Sequence, residues 1–139
     1  MIKLLLKVPT GIFSILLTAV VLYLCLAPQP VKSPGFFSFP GADKVVHGIM
    51  FFALTAVYLF DCRKMKHPRP ILEAGTVMIG IAAILLGGAI EVVQELMALG
   101  RSMDPLDWLA DACGVVCAVA AVPWLLGKML AKSTDTKNC

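Results

Sequence analysis

The sequence predicts an all-α fold: an integral membrane bundle of four transmembrane helices. Three observations carry this prediction. The 139-residue chain is 59% hydrophobic and only 15% charged, with a mean hydropathy of +0.87. A soluble domain carries about 25% charged residues, so lipid is the expected solvent for most of the surface. Four apolar segments, at 8–27, 45–60, 74–90 and 108–127, take up nearly the whole chain. That leaves room for one membrane domain over 1–139 and for no soluble one. Lys and Arg then distribute unequally between the two ends of such a bundle.

The first segment, 8–27, has no charged residue and matches the roughly 20 apolar residues a spanning helix needs. A cleaved signal peptide is the alternative, since Lys3 and Lys7 form a basic leader. The apolar run is longer than the usual stretch of about 7–15 residues. Pro28 directly follows Ala27 at the plausible cleavage point, so a retained membrane helix is expected. The second segment is interrupted by His47 near its start. The third continues through Glu91 toward Met97, and the fourth includes Asp111. With their polar ends included, the expected spans are about 8–27, 44–60, 74–97 and 107–127.

Nine of the basic residues fall at one end: Lys3, Lys7, Arg63, Lys64, Lys66, Arg69, Lys128, Lys132 and Lys137. Three fall at the other: Lys32, Lys44 and Arg101. The positive-inside rule then places both termini in the cytoplasm of a multi-pass protein of the cytoplasmic membrane. Loops 28–43 and 97–107 face outward. Phe36, Phe37 and Phe39 in the first of these loops are expected at the outer interface.

In this orientation the intramembrane polar residues gather in one leaflet. Asp43 and His47 are spaced i, i+4; Glu91, Gln94 and Glu95 are i, i+3, i+4; Asp107 and Asp111 are i, i+4. Each set shares a helix face, and Glu91 and Asp111 lie about 10 Å below the outer surface. Facing one another, they form a polar pocket open to the outside. Charged side chains in a membrane are costly and mark functional paths.

Simpler roles compete. Asp104-Pro105 reads as an N-cap followed by Pro at the first helical position, and Asp107 falls where the helix dipole favours an acid. Asp43 suits an N-cap of the second helix. His47 can donate to a carbonyl, and Glu91 can hydrogen-bond Gln94. Arg101 either pairs with Glu95 or clamps an anion. Gly80, Gly87-Gly88 and Ala110-x-x-x-Gly114 suit close helix contact. The five cysteines give no plausible disulfide across the outer face and no metal motif. No cofactor is expected. A net charge of +3 without a basic stripe excludes nucleic acid.

FPGADKVVHGIMFFAL and EVVQELMALGRSMDPLDWLADACG together resemble the VanZ-like family of small membrane proteins, over roughly residues 38–120. Asp43, Lys44, His47, Glu91, Gln94, Arg101, Asp107, Asp111 and Gly114 match its signature positions; Asp111 departs from a frequent Asn. The resemblance implies a four-helix membrane protein and a link to glycopeptide (teicoplanin) resistance. Three functional readings follow. In the first, a lipid-linked envelope precursor or glycopeptide-related ligand is bound or processed at the outer face. There Lys44 and Arg101 hold an anion, while His47 and Glu91, with Asp111 the catalytic candidates, share a proton. In the second, the polar cluster only holds helices together. In the third, His47, Glu91, Asp107 and Asp111 ligate a divalent cation in a membrane enzyme, although no local ligand motif is present. The sequence leaves the oligomeric state open.

Overall fold

The computed structural model describes residues 9–27, 40–64, 69–97 and 103–135. Arg101, Lys32 and the Phe36, Phe37 and Phe39 cluster lie outside the described residues. Four helices follow in order: α1 (Ile12–Leu26), α2 (Ala42–Lys64), α3 (Arg69–Met97) and α4 (Pro105–Asp135). The protein is all-α among the described residues.

The helix ends depart from the expected spans for local reasons. α1 has 15 residues rather than the expected twenty. Gly11 enters it in a left-handed conformation, at φ 94°, and Ala27 leaves it extended. Pro28 follows Ala27, and the residue before a proline is pushed out of the helical region. At 1.5 Å per residue α1 covers about 22 Å, less than the roughly 30 Å hydrocarbon core. α2 starts at Ala42 because Gly41, at φ 85°, turns the chain, and the Gly41 carbonyl accepts from the Val45 amide at 3.2 Å. It runs on past the apolar segment to Lys64. α3 begins five residues before the expected start, with Pro70 in a first turn that needs no amide donor. α4 begins at Pro105 and continues through Pro123 to Asp135.

The helices alternate in direction. Asp61, near the end of α2, accepts hydrogen bonds from the Gly11 amide at 3.1 Å and from Ser14 Oγ at 2.7 Å. The carboxylate thereby caps the start of α1, where the helix dipole favours negative charge. Lys64 packs beside it, over the rings of Phe13 and Phe60. At the other end of the bundle, Gln94 Nε2 on α3 donates to the Cys25 carbonyl on α1 at 2.9 Å.

The most extensive packing joins α2 and α4. Gly48 lies against the Ala110 carbonyl, and Gly114 lies against Gly48, so the small residues Ala110 and Gly114 form the contact ridge. The Trp108 indole N–H donates to the Ile84 carbonyl at 3.0 Å, tying α4 to α3. Val21, Phe51, Leu54, Ala83, Ile90 and Val115 fill the main core, and Leu59, Ala118 and Val122 a second cluster. Large apolar side chains such as Ile15, Met78, Leu85, Leu96 and Val116 point outward and are exposed. A water-soluble monomer rarely shows so much apolar surface. α2, α3 from Glu73 and α4 to Lys128 are each long and apolar enough to cross a membrane. The chain is therefore a membrane protein, with lipid as the solvent of its outer faces.

Candidate functional site

The close approach of α2 and α4 builds the site. His47 precedes Gly48, and Asp111 lies one turn before Val115, next to Gly114 in the same contact. His47 Nδ1 and Asp111 Oδ1 form a hydrogen bond of 3.0 Å, with both side chains buried. An Asp side chain is short, so this bond needs the backbone proximity that the glycines allow.

α3 supplies the third member. Glu91 is 2% exposed, and its Oε2 accepts the Asp104 amide at 2.9 Å. That bond satisfies one of the donors at the start of α4. Its other oxygen, Oε1, is buried without a hydrogen-bond partner among the described residues, as is Asp111 Oδ2. One ligand-type atom from each of His47, Glu91 and Asp111 lies within 4.8 Å of the others. Asp43, His47 and Asp107 form a second group of the same kind, nearer the helix ends.

Lys44 sits at the mouth. Its ammonium donates to Asp104 Oδ2 at 2.6 Å and to Asp107 Oδ1 at 2.9 Å. Asp104 both caps and pairs: Oδ1 accepts the Leu106 amide at 2.9 Å while Oδ2 holds Lys44. The Lys44 ammonium, with the Leu106 amide, holds the Asp104 carboxyl below the usual carboxylate range. Asp107, expected either as a cap or as a site residue, directs its side chain to Lys44.

The structure therefore brings together Lys44, His47, Glu91, Asp107 and Asp111, with Asp43 alongside. It does not place every candidate in the cluster. Gln94 donates to the end of α1. Asp43 is not an N-cap: Gly41 occupies the turn, and Asp43 falls exposed in the first turn of α2. The anion-clamping role expected of Lys44 meets two carboxylates already on its ammonium. Arg101 lies outside the described residues; Glu95 accepts the Met103 amide at 2.9 Å.

Two features escape sequence reasoning. The sequence around Asp104 points to a cap alone, and its pairing with Lys44, sixty residues away, leaves no local trace. Asp61 lies one residue beyond the expected span 44–60, beside Arg63 and Lys64, where composition suggests a loop. Ser14 and Thr18, polar and i, i+4 on an otherwise apolar helix, are the signal that points to its partner face; Thr18 meets the Tyr58 hydroxyl at 3.0 Å.

Chemically, the described cluster is rich in acceptors. Two oriented carboxylates each present a spare oxygen next to an imidazole. Such a set holds hydroxyl or amine hydrogens, relays a proton, or ligates a cation. The fold and the site together define a small helical membrane protein with a buried acid–histidine cluster at one end. No protein-family profile matches the chain, and no curated protein or solved structure shows significant similarity to it. The functional reading rests on the residues themselves.

Proposed function

We propose that this chain is a VanZ-like, multi-pass protein of the cytoplasmic membrane with four transmembrane helices and both termini inside. Its polar cluster opens to the outer leaflet and binds or processes a component of the cell envelope. The observation that carries this reading is the pair of buried, unpartnered oxygens, Glu91 Oε1 and Asp111 Oδ2. Buried polar atoms without partners are expensive, and helix glue would use them up. The basic residues at the far end, including Arg63, Lys64 and Lys128, support the orientation. α1 reaches across the bilayer by local thinning or with flanking residues.

The ligand chemistry follows from the acceptors. With Lys44 neutralised by Asp104 and Asp107, the described side chains suit the hydroxyl- and amine-bearing part of an envelope precursor. An anionic group on the same ligand is left to Arg101. The link to glycopeptide sensitivity belongs to this proposal and rests on the resemblance. A second reading keeps the cluster as helix glue, supported by the bonds of Lys44 and Gln94 between helices.

The test is complementation. A strain lacking the gene is scored for envelope stress and teicoplanin sensitivity, then supplied with wild type, Glu91→Gln or Asp111→Asn at matched membrane abundance. Failure of both variants supports the proposal. Full rescue by both overturns it.

A further inference from the structure

Building on the reading of this cluster as a site, we propose that His47, Glu91 and Asp111 hold a first-row divalent cation, Zn²⁺ or Mn²⁺, inside the bundle. The three residues come from α2, α3 and α4, and one ligand atom of each lies within 4.8 Å of the others. Zn²⁺ binds N and O ligands at about 2.0–2.2 Å, which sets neighbouring ligand atoms roughly 3.3–3.6 Å apart around a tetrahedral ion. The 4.8 Å limit on the observed spacing is wider than that range, so the ion would draw the three side chains together.

Each carboxylate is split between two tasks. Glu91 Oε2 is fixed by the Asp104 amide and Asp111 Oδ1 by His47. Glu91 Oε1 and Asp111 Oδ2 have no protein partner among the described residues. An oxygen fixed by a hydrogen bond while its twin is spare is the arrangement that orients carboxylate ligands at metal centres. Gly87 adds to this. A Cβ there would stand 2.9 Å from Asp111 Oδ2 and 3.3 Å from the Phe51 ring. The missing side chain gives Oδ2 its room beside α3, one helical turn from Glu91, and Phe51, fully buried, closes the floor against lipid and water.

Charge points the same way. Two carboxylates buried beside a single imidazole carry a heavy desolvation cost, and Lys44 is occupied by Asp104 and Asp107 at the mouth. A dication offsets Glu91 and Asp111 directly. The donor set selects the ion: one imidazole with two carboxylates suits Zn²⁺ or Mn²⁺, whereas Mg²⁺ and Ca²⁺ prefer oxygen alone. Three protein ligands leave coordination positions open, which an oxygen of the envelope ligand can fill.

The experiment uses the full chain purified in detergent and stripped with chelator. It is then dialysed against Zn²⁺ or Mn²⁺, and bound metal is measured by elemental analysis alongside the melting temperature. Wild type retains about one equivalent and melts higher with metal. Glu91→Gln and Asp111→Asn bind at least about tenfold more weakly. Asp61→Asn, a buried acid at the other end, and a Cys113→Ala/Cys117→Ala variant, which removes exposed thiols, bind like wild type. Wild type that retains no stoichiometric metal and gains no melting temperature overturns the proposal, whether or not the variants fold. So does metal that stays with Glu91→Gln and Asp111→Asn but leaves with the cysteines. A metal-free wild type whose Glu91→Gln variant still fails to complement sinks the cation alone and leaves the envelope-binding site standing.

Discussion

The Gly48 carbonyl on α2 lies so close to Gly114 on α4 that no side chain fits at position 114. This contact sets the register of the two helices that carry most of the site. His47 adjoins one glycine, Asp111 lies three residues before the other, and the 3.0 Å bond between them depends on the approach. Gly114→Ala therefore forces the helices apart. Overpacking of this kind typically costs about 1–3 kcal/mol, measured by detergent melting. Gly127→Ala is the control, because its new methyl meets only the end of Arg63 at 3.9 Å; it gains the same helix propensity as Gly114→Ala without the clash and should melt at or above wild type.

Asp61 anchors α1 by accepting from the Gly11 amide and the Ser14 hydroxyl. Asp61→Ala removes both bonds together with the 3.4 Å ion pair to Lys64, and strands the Gly11 and Ser14 donors. Hydrogen bonds to charged groups contribute about 1.5–3 kcal/mol, so the loss should appear as faster hydrogen exchange across residues 12–26 and the last turn of α2, with α3 and α4 protected as before. Unchanged exchange in α1 would show that apolar packing alone holds it.

These two contacts show what was legible in the sequence. Hydropathy marks all four helices, and i, i+4 spacing marks the faces of His47, Glu91 and Asp111, since both are local properties of one segment. Partner choice between segments is not local. His47 meeting Asp111, Lys44 meeting Asp104 and Gln94 reaching the end of α1 follow from helix register, which the glycine contacts decide between α2 and α4. The same limit hid Asp61. It lies one residue beyond an apolar run and beside Arg63 and Lys64, so composition assigns it to a loop, whereas helical geometry carries α2 one turn further.

The mouth of the site is acid-sensitive. Lys44 and the Leu106 amide lower the Asp104 carboxyl below its ordinary value. A group with a depressed folded value contributes stability above its unfolded value, about 3.9, and loses it as pH falls through the folded one. The residue is partly exposed, so the effect is modest. Between about pH 6 and pH 3 the wild-type melting temperature should fall more steeply than that of Asp104→Asn, which keeps a capping oxygen but has no charge to lose. Parallel curves would remove Asp104 from the account.

The most direct test of the central claim, that the buried acids are a site and not glue, is the melting of Glu91→Gln in detergent with metal chelated. The variant can keep an oxygen for the Asp104 amide while removing a buried carboxylate whose second oxygen has no partner. The account predicts a stability within about 1 kcal/mol of wild type, or above it, because residues kept for function often cost stability. A loss of about 3–5 kcal/mol, the size expected for breaking a buried charged pair, would contradict it and leave the cluster as the cement of the bundle.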